Sequence, residues 1–121
     1  MSDVEPKPIR EKDELETVLD EAVAVLYKHS PLCGASATAA KQVRSFMDEH
    51  PHVPVYLIDV IRHQPLAREV ARRLSIRHES PQALVLRDGS VAWAGSHGAV
   101  TANILSRKLD DAGGGDNGGG G

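Results

Sequence analysis

Two short apolar runs, Val23–Lys28 and Val53–Val60, flank a segment whose apolar residues repeat at helical spacing: Ala39, Val43, Phe46 and Met47. Each run has the length and β-branched content of a buried strand. The segment between them has the 3.6-residue period of an amphipathic helix ending near His50, ahead of Pro51. A strand–helix–strand unit of this kind makes a parallel pair joined by a right-handed crossover. That pairing excludes an all-β sandwich and a helical bundle.

The remaining elements follow from the same periodicities. Leu15, Val18, Leu19 and Ala22 mark a helix before the first strand, with Asp13 and Glu16 as a capping pair. Leu66, Val70 and Leu74 mark another, with Pro65 where it begins. Ala83–Arg87, Asp88-Gly89 and Val91–Ala94 read as a β-hairpin around a tight Asp-Gly turn. Thr101 caps a last helix through Ile104, Leu105 and Leu109. One parallel crossover and one terminal hairpin together predict an α/β domain with a mixed, roughly four-stranded sheet and helices on both faces. This is the layout of a thioredoxin-like fold, and other small α/β domains share the pattern. The expected organisation is a disordered lead over 1–10, one domain over 11–109, and a flexible glycine-rich tail over 110–121.

Charge is distributed unevenly along the chain. Residues 1–21 hold eight acids against three bases, residues 22–109 six against eleven, and the tail adds three more acids. The net charge of −3 therefore conceals a basic domain of +5. The longest apolar stretch, Ala22–Tyr27, is far short of the ~20 residues of a bilayer helix. Four aromatics (Tyr27, Phe46, Tyr56, Trp93) are too few for a base-stacking platform. Partners in the membrane or among nucleic acids are thus not expected. The arginines from Arg62 to Arg77 read as a solvated helix face. The six histidines lack ligand spacing, so no metal site is expected. The polar opening residues and the lone cysteine point to a cytoplasmic protein.

That cysteine, Cys33, stands after a strand and a short loop, at the opening of a helix. Helix-start N–H groups lack intrahelical partners and carry the positive end of the macrodipole, which favours a thiolate. Lys28 and His29 precede it, and no acid lies between Ala22 and Gln42. Gly34 puts no bulk beside the sulfur. Cys33-Gly34-Ala35-Ser36 looks like a dithiol motif whose second cysteine is serine. Without a resolving thiol in the chain, a mixed disulfide on Cys33 is released by an outside thiol. Ser36 is placed to donate a hydrogen bond to the thiolate, or to serve as an ordinary first-turn polar residue. A small buried hydrophobe is the competing reading of Cys33.

Several strings now coincide. Lys28-His29-Ser30 precedes the cysteine, Arg77-His78-Glu79-Ser80-Pro81-Gln82 precedes the hairpin, and Asp88-Gly89, Trp93 and Ser96-His97 follow. Together they resemble the YtxJ-like bacilliredoxins, monothiol members of the thioredoxin superfamily, over about residues 12–109. The resemblance implies a thiol–disulfide oxidoreductase that removes bacillithiol from protein mixed disulfides, with Cys33 as nucleophile and His29, Gly34 and Ser36 supporting the thiolate. It implies a cis Pro81, with Ser80 pairing to the substrate backbone, and places the carried thiol near Ser96 and His97. The family motif is closer to Thr-Cys-Pro-Ile-Ser; here Leu32, Gly34 and Ala35 depart from it while Ser36 is kept. No tightly bound cofactor is implied. The co-substrate is a low-molecular-weight thiol, bacillithiol or an analogue, and the partners are S-thiolated client proteins. A monomer is expected, with a Cys33–Cys33 dimer on oxidation. Two alternatives stay open: the same chemistry with glutathione, coenzyme A or another small thiol, and a thioredoxin-fold interaction module with an unreactive cysteine.

Overall fold

The computed structural model describes residues 4–113. In chain order these form β1 (Lys7–Pro8), α1 (Lys12–Asp20), β2 (Val23–His29), α2 (Gly34–Glu49), β3 (Val55–Asp59), α3 (Gln64–Leu74), β4 (Gln82–Arg87), β5 (Ser90–Ser96), a single 3-10 turn (His97–Ala99) and α4 (Ala102–Asp111). The sheet has the order β1-β3-β2-β4-β5. β2 and β3 are parallel, joined through α2, and β4 and β5 form the antiparallel hairpin beside β2. The α/β thioredoxin-like layout with helices on both faces is therefore the observed one.

Four expectations require correction. The sheet has five strands, because Lys7–Pro8 pairs parallel with Tyr56 and Leu57 of β3. The reading of 1–10 as a disordered lead thus fails at residues 7–9, where Ile9 is buried and its N–H donates to the Leu57 carbonyl at 2.8 Å. Two residues carry too little periodicity to announce a strand, and Pro8 argues against one except at a sheet edge, which is where β1 lies. α1 is capped by Glu11 and Glu14 in a reciprocal box, two residues earlier than Asp13 and Glu16. Finally, α4 continues through Asp110 and Asp111, which the tail was expected to include. Residues 114–121 of that tail lie outside the described residues.

β2 explains the two-layered core. Ala24 and Leu26 point to one face with Leu15 and Val18 of α1 and Leu66, Ala67 and Val70 of α3. Val25 and Tyr27 point to the other with Ala39, Val43, Phe46 and Met47 of α2 and Leu105 and Leu109 of α4. Alternate side chains of one strand thus serve opposite layers. Each fully buried aliphatic or aromatic side chain contributes roughly 1.5–3 kcal/mol. Thr101 caps α4 as expected, its hydroxyl accepting from the Ile104 N–H at 3.1 Å.

The hairpin turn places both Asp88 (φ 51°) and Gly89 (φ 78°) in the left-handed region, as a tight primed turn demands. A Cβ on Gly89 would also lie 2.8 Å from the Leu19 carbonyl oxygen. Gly89→Ala is expected to destabilise the fold by about 1–3 kcal/mol in urea titrations, because strain and overlap act together.

Candidate active site

The register gathers the sequence-selected residues at one end of the sheet. Lys28 of β2 lies opposite Gln82 of β4, and Gln82 lies opposite Ser96 of β5. The loops that follow β2 and β5 and the one that precedes β4 therefore leave from the same edge. The first carries Cys33, the second His97, the third Ser80 and Pro81.

Cys33 is the N-cap of α2, with extended backbone angles (φ −112°, ψ 126°), and its side chain is half-buried. Its carbonyl accepts from the N–H groups of Ser36 (3.0 Å) and Ala37 (3.3 Å), which starts the helix. Cys33 thus stands at the helix start without a side-chain capping hydrogen bond, and no acid in the first turn offsets the positive end of the helix there. Pro31 and Leu32 are exposed, Leu32 at 84 %. A Cβ built on Gly34 meets nothing within 4 Å. The thiol stands in an open loop, not in a core.

Two of the residues expected to support the thiolate, Ser36 and His29, have hydrogen-bond partners within the fold. Ser36 is fully buried, and its Oγ accepts from the Ser30 N–H at 3.1 Å, closing the loop from β2 into α2. The Tyr27 hydroxyl donates to the Ser36 carbonyl at 2.9 Å and lies 3.0 Å from His29 Nδ1. With its proton committed to Ser36, the phenol oxygen accepts from His29, which assigns the imidazole proton to Nδ1. Burial pushes the Tyr27 hydroxyl up to about 12 and pulls His29 below its ordinary value. Burial thus favours the neutral form of the His29 imidazole. Lys28 likewise turns inward. It is fully buried, and its Nζ donates to Gln82 Oε1 at 2.9 Å.

The Ser80–Pro81 peptide bond is cis. Pro81 is buried and Ser80 half-buried. The Pro81 carbonyl accepts from the His97 N–H at 3.0 Å, and Ser96 Oγ donates to Glu79 Oε1 at 2.7 Å. His97 Nδ1 lies 3.7 Å from the same carboxylate oxygen. Ser80, Pro81, Ser96 and His97 are thus one bonded cluster, and Glu79, which sequence reasoning passed over, is its centre. Beside it, a cavity of about 340 Å³ opens between α2 and the 3-10 turn, lined by Ala35, Thr38, Ala39, His97, Gly98 and Val100. Gly98, like Gly34, faces open space. Arg72 and Arg73 pair with Glu69 and Glu16, in keeping with a solvated helix face. Among the described residues no cluster of His, Cys, Asp or Glu could hold a metal, and no helix is long and apolar enough to cross a membrane.

The family model of the monothiol bacilliredoxin BrxC matches residues 7–105. The chain belongs to the monothiol bacilliredoxin family. Its chemistry is accordingly thiol–disulfide oxidoreduction, with a single cysteine and thiol-bearing partners. A solved structure described as an oxidoreductase with a thioredoxin fold superposes with a TM-score of 0.81 at 27 % identity, over 85 % of this chain and 92 % of that one. Mitochondrial thioredoxin 3 from Saccharomyces cerevisiae gives 0.72 at 14 % identity, over 88 % and 94 %. A variant thioredoxin from Halobacterium salinarum gives 0.72 at 21 %, over 89 % and 90 %. The last two share the fold alone.

Burial brings Lys28 down to about 8 from an ordinary 10.5. Between those values the unfolded chain holds a proton that the folded bacilliredoxin has shed, so stability rises with pH across that window. Tyr27 and Tyr56, both pushed up to about 12, oppose this only above about 10, where unfolded phenols ionise. Chemical denaturation should show about 1–2 kcal/mol of stability gained from pH 8 to 10, absent in Lys28→Met.

Proposed function

We propose that this bacilliredoxin removes a low-molecular-weight thiol from protein mixed disulfides, with Cys33 as the nucleophile. The observation that supports the reading is the one thiol at the N-terminus of α2, at the end of the sheet from which the Ser80–Pro81 and His97 loops also leave, with a cavity lined by Ala35 and His97 at that end. The Cys33 thiolate attacks the outer sulfur of a protein–S–S–R disulfide. The protein thiolate leaves and takes up a proton, and Cys33–S–S–R forms. With no second cysteine in the chain, a free R–SH, as its thiolate, attacks the sulfur of the carried R group. R–S–S–R departs and the Cys33 thiolate is restored.

In this reading the backbone of the half-buried Ser80 receives the client's main chain, and Pro81 holds that loop against His97. The carried thiol lies toward Ser96, His97 and the neighbouring cavity. The Ser96 hydroxyl is bound to Glu79, so at that position the backbone and the exposed His97 side chain are the groups that meet it. The +5 balance of residues 22–109 suits an anionic thiol such as bacillithiol or glutathione. The reaction belongs in a compartment that keeps such thiols reduced, the cytoplasm being the natural one.

Incubation with a bacillithiolated protein should leave one bacillithiol on Cys33 by mass spectrometry, and Cys33→Ala should lose both adduct and release of the client. Unchanged release by Cys33→Ala would refute the proposal and favour an interaction module. Parallel glutathione and coenzyme A conjugates rank the three thiols. Filling the cavity with Gly98→Leu, at a site with no close neighbours, should slow small-thiol transfer about tenfold (roughly 1.4 kcal/mol) with thermal stability unchanged.

A further inference from the structure

One charged group remains outside this chemistry. The Lys28 side chain is fully buried on the α1/α3 face of β2, where Leu26 shows that an apolar residue fits. Its Nζ donates to the neutral amide oxygen of Gln82, at 2.9 Å. Burying an ammonium against an amide costs more than burying a methionine of similar length. A lysine at that position is therefore not explained by filling space.

The hydrogen bonds indicate the task. Gln82 is itself buried, and its Nε2 donates to the Arg77 carbonyl at 3.0 Å. Arg77 begins the segment that ends in the cis Ser80–Pro81 bond. That segment is held at Glu79 by Ser96 and at Pro81 by the His97 N–H. The chain Lys28–Gln82–Arg77 is the third attachment, and it works from inside the sheet. Glu79 draws the Lys28 amine toward its charged form, while burial first, and then the amine and Arg68 of α3, hold His78 below its ordinary value. These charged groups thus surround one loop.

We infer that Lys28 is a positioning residue for the client: through Gln82 it sets where the Arg77–Pro81 segment stands, and so where Ser80 presents its backbone beside Cys33. This rests on the reading of Ser80 as the client's backbone partner. Fixing such a loop in advance lowers the ordering cost of docking a protein, whereas a small disulfide needs no such docking.

Two variants of the full chain separate this role from simple packing. Lys28→Met removes the amine. Gln82→Glu keeps an acceptor for Lys28 and gives it an opposite charge, but deletes the Nε2–H that holds Arg77. The probes are serum albumin carrying bacillithiol on its free cysteine and the small aromatic disulfide 5,5′-dithiobis(2-nitrobenzoate). In both variants the rate constant on the albumin conjugate should fall about tenfold, mainly through KM, with less than a twofold change on the small disulfide. Amide exchange over residues 77–81 should quicken about tenfold while β2 and β4 are unchanged. If Gln82→Glu matches the parent on both probes, or both rates fall together with thermal stability, the positioning role is overturned. If the parent itself leaves the albumin conjugate intact, the proposed activity fails instead, and unchanged exchange over 77–81 would still refute the Lys28 attachment.

Discussion

β2 is buried on both faces and hydrogen-bonded along both edges, to β3 in parallel and to β4 in antiparallel register. A strand in that position can expose polar groups only at its ends. The Cys33 loop starts at one such end, and the strand delivers it beside the start of β4 and the end of β5. The two core layers, through Leu26 on one side and Tyr27 on the other, hold that delivery in place. The site depends on this before it depends on any property of the thiol.

Polar groups near the strand end must be satisfied internally, and the loop conformations follow from how this is done. Ser36 reaches back to Ser30, Tyr27 ties Ser36 to His29, and Glu79 ties Ser96 to the segment before Pro81. The outcome is a half-buried Cys33 at the helix start, with His29 bonded to Tyr27 and Lys28 turned inward to Gln82. The helix start, with no acid in its first turn, is the favourable electrostatic feature left to a thiolate. Sequence proximity had credited Lys28 and His29 with that part.

Much of the fold was legible because its elements are long and strongly periodic. The strands β2 and β3, the helices α2 and α3, the Asp-Gly hairpin and the Thr101 cap all stand where their patterns place them. β1 was not legible: two residues have no period, and only the open edge of β3 makes them a strand. Lys28 was legible in principle. It occupies an inward position of a run whose other residues are all apolar, and in a strand buried on both faces such a lysine has nowhere to go but inside. Glu79 carried no such sign, since nothing local distinguishes a loop carboxylate that meets Ser96 from one in solvent.

The sequence by itself determined the parallel crossover, the hairpin and the monothiol character, since strand and helix periods, an Asp-Gly turn and a cysteine count are local properties of the chain. Only the tertiary structure decided where the polar groups near the cysteine find partners. Ser36, His29 and Lys28 lie within five residues of Cys33, yet Ser36 meets Ser30, His29 meets Tyr27 and Lys28 meets Gln82, while the Ser80–Pro81 and His97 loops, far away in the chain, come to the same end of the sheet. Side-chain direction at a strand end is set by the layers packed against it and by the buried donors that need partners, and both belong to contacts between distant segments.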